Sequence, residues 1–158
     1  MALADRSTAG SLQDLAHEVR LHVFRQAAAT THVPQPPAIA QALGRPLEDV
    51  HAALQQLAAN RVVMLAPNST NLWVAAPFCA VPSPFKVEVA ERRYWAICIW
   101  DALGIPAILG EAGIIRATCG DCGAELVLEV RNGSLATQQG VVHFAVPARH
   151  WWDNIGFT

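Results

Sequence analysis

Apolar residues after residue 10 recur at helical spacing. The pattern predicts a helix that opens at Ser11, with Asp14 three residues later as its capping partner. One face of this helix collects the side chains of Leu12, Leu15, Ala16, Val19 and Val23. Three prolines between residues 34 and 37 end the pattern, because proline removes a backbone donor and crowds the preceding turn.

Two shorter helical patterns and a hairpin complete the first half of the chain. Residues 38–43 predict a helix stopped by Gly44, and a third helix begins at Pro46. The third helix is expected to turn inward the residues Leu47, Val50, Leu54 and Leu57. Residues 61–65 and 72–75 predict strands joined by a turn-rich loop at 67–71. This is the order of a winged-helix unit, so residues 1–80 are assigned to a winged-helix-like helical region.

The second half, residues 81–158, is predicted to be a small mixed core. The segment that joins the two halves is interpreted as a linker, which contains Pro77, Phe78, Cys79, Pro82 and Pro84. A helix pattern covers 91–103, is disturbed by Gly104 and Pro106, and ends at Gly110. Residues 114–118, 125–130 and 141–146 predict strands, with Asn132-Gly133 as a plausible turn between the last two and Pro147 ending the sheet. The expected fold class is α+β: a three-helix winged-helix-like unit followed by a mixed α/β core with a short antiparallel sheet.

Composition and charge argue against several classes of protein. With 53% apolar and 15% charged residues, disorder and a coiled coil are not expected. The most apolar stretch, residues 94–115, contains Asp101, Pro106 and Glu111, so a transmembrane helix is not expected there. The start of the chain carries acidic residues and no apolar stretch, which is unlike a signal peptide. The expectation is a cytoplasmic protein without membrane partners.

The charge of the winged-helix-like region argues against nucleic-acid binding. Residues 1–80 hold five arginines, no lysine and five acids. The third helix carries Glu48 and Asp49 in its first turn and no lysine or arginine between Pro46 and Asn60. A reading helix needs basic or amide side chains for phosphates and bases. A helical scaffold is therefore favoured over a DNA-binding regulator.

Cys98 and Asp101 stand three residues apart and share one face if they lie on a helix. A carboxylate buried among their apolar neighbours needs a partner, and desolvation raises its pKa. A thiol beside a proton-carrying acid indicates chemistry. Spacing alone favours a simpler alternative, a buried cysteine and a surface aspartate, because buried free cysteine is common.

Cys119 and Cys122 form a CGDCG motif. A CxxC with glycines is half of a typical zinc site, but no other CxxC or CxxH follows. A thioredoxin-like role is not expected, since the motif leads into a strand rather than a helix. Metal binding and a structural turn with two ordinary thiols remain open alternatives; Cys79 and Cys98 would join a site only through the fold.

The segments YWAICIWD (residues 94–101) and PAILG (residues 106–110), with Cys119 nine residues later, resemble organomercurial lyase, also called alkylmercury lyase. The resemblance covers roughly residues 35–158. It implies protonolysis of a carbon–mercury bond to a hydrocarbon and Hg(II). Cys98 would be the mercury-binding thiol, Asp101 the proton-handling acid, and Cys119 a structural cysteine. Mercury is soft, and thiolate is the softest side-chain ligand.

The resemblance also implies the co-reactants and partners. The substrates are organomercurial small molecules, no organic cofactor is needed, cellular thiols remove the bound Hg(II), and mercuric reductase receives it. The site must be shielded from water, a role expected of the nearby tryptophans and isoleucines.

The family uses a second catalytic cysteine after the residue that corresponds to Phe157. Here that position is Thr158, so activity is expected to be impaired, or the chain is cut short before that thiol. Cys122 is a weak candidate to supply the missing thiolate, and Cys119 and Cys122 are weak candidate metal ligands. The alternative function is a non-catalytic, thiol-based metal-binding or sensing protein with the lyase fold.

Overall fold

Four α-helices and two antiparallel sheets make up the part of the chain that the computed structural model describes, residues 3–136 and 140–155, with side chains from residue 11. The elements in chain order are α1 (Leu3–Thr30), α2 (Pro36–Leu43), α3 (Leu47–Ala59), β1 (Met64–Leu65), β2 (Leu72–Ala75), β3 (Phe78–Cys79), β4 (Phe85–Val89), β5 (Arg92–Ala96), α4 (Ile99–Leu109), β6 (Gly113–Thr118), β7 (Glu125–Arg131), β8 (Ser134–Leu135) and a 3₁₀ helix (Ala148–Asp153).

Helix α1 is longer than the sequence pattern predicts. It begins at Leu3, so Ser11 lies inside the helix and the predicted capping box is wrong. Residues 3–10 contain no proline, and their leucine, alanines and arginine favour helix, so nothing stops the helix from extending toward the amino terminus. The predicted apolar face is confirmed, since Ala16, Val19 and Val23 are buried and Leu12 and Leu15 pack against them.

Helices α2 and α3 form largely as predicted. Gly44 ends α2 in the left-handed conformation, with φ 60°. In α3 the buried residues include Val50, Leu54 and Leu57. Leu47, predicted to face inward, is 41% exposed. It is the first residue of the helix, so the buried stripe starts one turn later.

The first sheet has the order β1-β2-β3. The predicted strands at 61–65 and 72–75 are confirmed in position, although the first is reduced to Met64–Leu65. Phe78 and Cys79, predicted to lie in a linker, form β3 and pair with Ala75 and Val74. Both are buried, so their apolar side chains gain more from joining the sheet than from a solvated linker.

The helix predicted from residue 91 is wrong in its first half. Residues 92–96 form β5, which pairs with a strand that the sequence pattern missed, β4. Burial alternates along β5 with the period of two that is typical of a strand: Tyr94 and Ala96 are buried, whereas Arg93 is exposed. Ala90, with φ 51°, makes the tight turn between the strands.

The second sheet has the order β5-β4-β6-β7-β8, with all pairs antiparallel. One face is buried; its residues include Val87, Val89, Tyr94, Ala96, Ile115, Leu128 and Val130. Helix α4 contacts β4, β5, β6 and β7. The opposite face is solvated, and there Glu88 pairs with Lys86 at 2.8 Å and with Arg116 at 3.6 Å.

Strands β6 and β7 confirm the predictions for 114–118 and 125–130, but residues 141–146 form no strand. Instead Asn132 and Gly133, with φ 52° and 69°, make a two-residue turn into β8. Such a turn pairs the residues that immediately follow it, so Ser134 and Leu135 take the edge position.

The helical part and the second sheet share one hydrophobic core. The hydroxyl of Tyr94 in β5 donates to the carbonyl of Ala28 in α1 at 2.7 Å. The ring of Phe78 in β3 lies 5.6 Å from the Tyr94 ring. The division at residue 80 and the winged-helix likeness stay predictions. Among the described helices, none is both long and apolar enough to cross a membrane.

Gly113 fixes how closely α4 approaches the sheet. A Cβ at this position would lie 2.5 Å from Cγ of Pro106 and 3.1 Å from Cγ2 of Val89. We therefore expect Gly113→Ala to lower the free energy of unfolding by about 1–3 kcal/mol, because overpacking forces the helix away.

Chemical denaturation tests this, with Gly104→Ala as the matched control. Gly104 lies inside α4, and a Cβ there would meet nothing within 4 Å. The control should be more stable by about 0.5–1 kcal/mol, because alanine is the better helix former. Equal stability of Gly113→Ala and the wild type would show that the contact with Pro106 does not restrict the packing.

Candidate active site

Cys98 lies at the junction between β5 and α4. Its backbone is extended, with φ −143° and ψ 175°, and its side chain caps the helix by accepting the N–H of Asp101 at 3.5 Å. The prediction that Cys98 and Asp101 come together is thus met in a different way from the one expected. Cys98 is the N-cap rather than a residue on the helix face, and Asp101 follows in the first turn.

The two side chains touch. Sγ of Cys98 lies 3.5 Å from Oδ2 of Asp101, and the thiol donates to the carboxylate. Both residues are half-buried. The surface aspartate of the simpler alternative is therefore not what the structure contains. A thiol and a carboxyl at this distance can exchange a proton directly.

Burial raises the pKa of Asp101, and the hydrogen bond from the Cys98 thiol opposes this rise. The pKa of Cys98 is also raised, first by burial and further by the negative charge of Asp101. The backbone N–H groups of Asp101 and Trp100 act in the opposite direction, because they stabilise the thiolate at the helix N-terminus. Both groups thus retain protons to higher pH than they do in water, which suits proton transfer.

Cys79 is the second thiol within electrostatic reach of Asp101. It is buried in β3, and burial raises its pKa, with a smaller contribution from the charge of Asp101. From the sequence alone, Cys79 could join a metal site only if the fold brought it there. Because its segment is interpreted as a linker, the sequence does not predict that Cys79 is buried in a strand.

Trp100 does not shield the pair from water as the sequence predicts. Trp100 is 68% exposed. Its ring lies 6.4 Å from that of Phe144, which in turn lies 4.9 Å from that of Trp151. An aromatic row therefore runs from the start of α4 to the 3₁₀ helix. The outward position of Trp100 follows from the helix start, where only part of the first turn faces the sheet.

Cys119 and Cys122 lie at the turn between β6 and β7. The N–H of Cys119 donates to the carbonyl of Ala124 at 2.8 Å, and the N–H of Gly123 donates to the carbonyl of Cys119 at 2.9 Å. The N–H groups of Cys122 and Asp121 and the thiol of Cys122 lower the pKa of Cys119. Among the side chains of residues 11–136 and 140–155, no three His, Cys, Asp or Glu converge as metal ligands. The turn thus forms no common ligand cluster with Cys98 and Asp101.

These features define a class: an α+β protein in which a thiol caps a helix packed on an antiparallel sheet, with a carboxyl one turn away. Comparisons with known proteins agree with it. The family model described as alkylmercury lyase (MerB) matches residues 78–158. The match covers half of the chain and includes the whole thiol–carboxyl site. This chain belongs to the alkylmercury lyase family.

A solved structure, the mercury-bound form of MerB2, is similar in fold, with a TM-score of 0.59 and 16% sequence identity. The similarity covers 80% of this chain and 66% of that one, so this chain spans slightly less than two thirds of the relative. Among curated proteins, none matches this chain in sequence.

Replacing Asp101 by asparagine removes the negative charge that raises the pKa of Cys98. We expect the pKa of the Cys98 thiol to fall in Asp101→Asn, since the charge no longer opposes ionisation. The pH dependence of iodoacetamide alkylation at Cys98, read from the mass of its peptide, measures the shift.

Asp49→Asn, which changes an exposed aspartate on α3, is the matched control and should leave the alkylation profile unchanged. An unshifted profile in Asp101→Asn would mean that the two groups are not electrostatically coupled in solution.

Proposed function

We propose that this protein is a carbon–mercury lyase that cleaves organomercurial compounds by protonolysis, giving a hydrocarbon and Hg(II). The observation that carries the proposal is the 3.5 Å contact between the Cys98 thiol and the Asp101 carboxyl. Its support is the family to which the chain belongs and the fold it shares with a mercury-bound relative.

In the first step the organomercury cation binds the Cys98 sulfur. A mercury–sulfur bond forms, the S–H bond breaks, and the proton passes to the Asp101 carboxylate. Soft mercury prefers sulfur to oxygen, so the thiol is the ligand and the carboxylate the base. Asp101 already accepts the hydrogen bond along which this proton moves.

In the second step the protonated Asp101 delivers the same proton to the carbon bound to mercury. The electron pair of the carbon–mercury bond becomes the new carbon–hydrogen bond, and Hg(II) remains on Cys98. Asp101 returns to its carboxylate form. Partial burial favours this transfer, because a buried carboxyl holds its proton until a basic carbon arrives.

Release of Hg(II) requires further thiols. Free cellular thiols exchange with Cys98, which regains its proton, and mercuric reductase is the proposed recipient of the metal. No organic cofactor takes part in these steps. The reducing cytoplasm, which supplies such thiols, is the proposed location.

The second thiolate of the lyase reaction is a separate proposal. The position after Phe157 lies outside the described residues. Within the described part, Cys79 is a thiol whose pKa is raised by burial and, to a smaller extent, by the charge of Asp101. Neither Cys79 nor Cys122 completes a group of three metal-ligating side chains with Cys98 and Asp101. A thiolate bound to mercury would push charge toward carbon and ease protonolysis. Loss of benzene release, and not only of mercury affinity, in Cys122→Ser would favour Cys122 for this role.

For the first 80 residues we propose a winged-helix-like scaffold rather than a DNA-binding unit. The three helices and the strand pair β1-β2 occur in the predicted order. Helix α3 has no lysine or arginine and carries two acids in its first turn. Its buried residues instead pack in the core that they share with β5. Because Cys98 follows β5 in the chain, this packing helps to hold Cys98 in position.

Single-turnover release of benzene from phenylmercury in excess thiol tests the activity. We expect Cys98→Ser and Asp101→Ala each to lose at least about 100-fold in rate, because each removes an atom that reacts. Asp101→Glu should retain part of the rate, since it keeps the carboxyl.

Cys119→Ser serves as the control for loss of a thiol elsewhere and should keep the rate. Tight Hg(II) binding without hydrocarbon release in the wild type would contradict the lyase function and favour a binding or sensing protein.

The kcat/KM for benzene release should also rise with pH in the acid range. Asp101 must be a carboxylate to accept the Cys98 proton, so kcat/KM rises with pH through the pKa of Asp101. Because burial raises that pKa above its ordinary 3.8, the acid limb should lie above pH 3.8. Benzene release across acid pH measures the limb; a midpoint at or below 3.8 would contradict this role for Asp101.

A further inference from the structure

The turn that carries Cys119 and Cys122 holds two thiols that the proposed reaction does not use. Both are free cysteines. Cys122 is exposed and Cys119 is half-buried, so neither is explained as a filler of the core. They stand three residues apart in one turn that backbone hydrogen bonds close.

The backbone of the turn holds the two cysteines in place. Two hydrogen bonds close it, one from Cys119 N–H to Ala124 and one from Gly123 N–H to Cys119. Gly123 adopts φ 71°, a conformation that other residues rarely take. The strands on either side are paired in full register from Thr118 with Glu125 to Gly113 with Val130. The thiols therefore sit at the tip of a rigid hairpin.

The spacing of the turn suits a soft metal ion. A CxxC segment followed by glycine, closed by backbone hydrogen bonds, lets two thiols turn toward one ion. The thiolate is the form of cysteine that binds such an ion.

We propose that Cys119 and Cys122 form a second mercury site, in which two thiolates bind one Hg(II) ion. Two Hg–S bonds form, two S–H bonds break, and two protons pass to solvent. Hg(II) is satisfied by two thiolates, whereas Zn(II) takes four ligands. The described residues provide no third Cys, His, Asp or Glu to complete a zinc site, so a soft two-coordinate ion is the one that fits.

The site is independent of turnover, although the proposed lyase reaction would supply its ion. Its exposure places it where ions released into solution, or carried by small thiols, can reach it. The turn would hold Hg(II) outside the catalytic pair and keep Cys98 free for another substrate molecule. The supply of Hg(II) by turnover rests on the proposed function; the binding of Hg(II) to the turn does not.

Protection from alkylation by inorganic Hg(II) tests the site in the full chain with Cys98→Ser, which removes the proposed catalytic thiol. One equivalent of Hg(II) should slow iodoacetamide alkylation of both Cys119 and Cys122 by more than about tenfold, because a metal-bound thiolate is not a free nucleophile. The same amount of Zn(II) should leave both rates unchanged. Peptide masses report each cysteine separately.

Variants in which one of the two cysteines is replaced by serine test whether both thiols bind the same Hg(II) ion. In Cys122→Ser, one equivalent of Hg(II) in the presence of a competing monothiol should no longer protect Cys119, and the reverse should hold in Cys119→Ser. Full protection of the remaining thiol, equal protection by Zn(II), or no protection in the intact turn would each overturn the proposal. Because no organomercurial is used, failure of the lyase reaction would not affect these results.

Discussion

The contact between the Cys98 thiol and the Asp101 carboxyl is the interaction on which the account of this protein depends. The helix start creates it, since the thiol that caps α4 is also the thiol that faces the acid. Cys98 thus accepts the backbone N–H of Asp101 and also provides a sulfur atom that can bind a soft metal. Partial burial raises the pKa of both groups, so a proton can be held between them and moved.

The rest of the fold keeps this contact in place. Strand β5 leads directly into Cys98, and its Tyr94 is buried and bonded to α1. Helix α4 rests on the sheet at Gly113, where Pro106 leaves no room for a side chain. The helical part and the sheet share one core, so the segment between β5 and α4 is supported from both sides. A site of two small side chains needs such support, because a shift of about 1 Å would separate them.

The sequence predicted the elements with long, regular patterns and missed those decided by pairing partners. The buried face of α1, the end of α2 at Gly44 and strands β6 and β7 follow from local periodicity. Strands β3, β4 and β5 do not, because their residues pair with segments that local spacing cannot identify. Spacing places Cys98 and Asp101 on one helix face but favours a surface aspartate, and the resemblance alone implies that the two act together; the structure brings them together at the helix cap. Neither the outward position of Trp100 nor the burial of Cys79 in β3 has a local pattern that indicates it.

Time-resolved infrared spectroscopy during a single turnover with phenylmercury tests the proton transfer most directly. A protonated carboxyl band should appear when mercury binds Cys98 and decay as benzene is released, and Asp101→Asn should lack it. Benzene release at the wild-type rate with no such band, or a band that persists in Asp101→Asn, would contradict the claim that Asp101 carries the proton from sulfur to carbon.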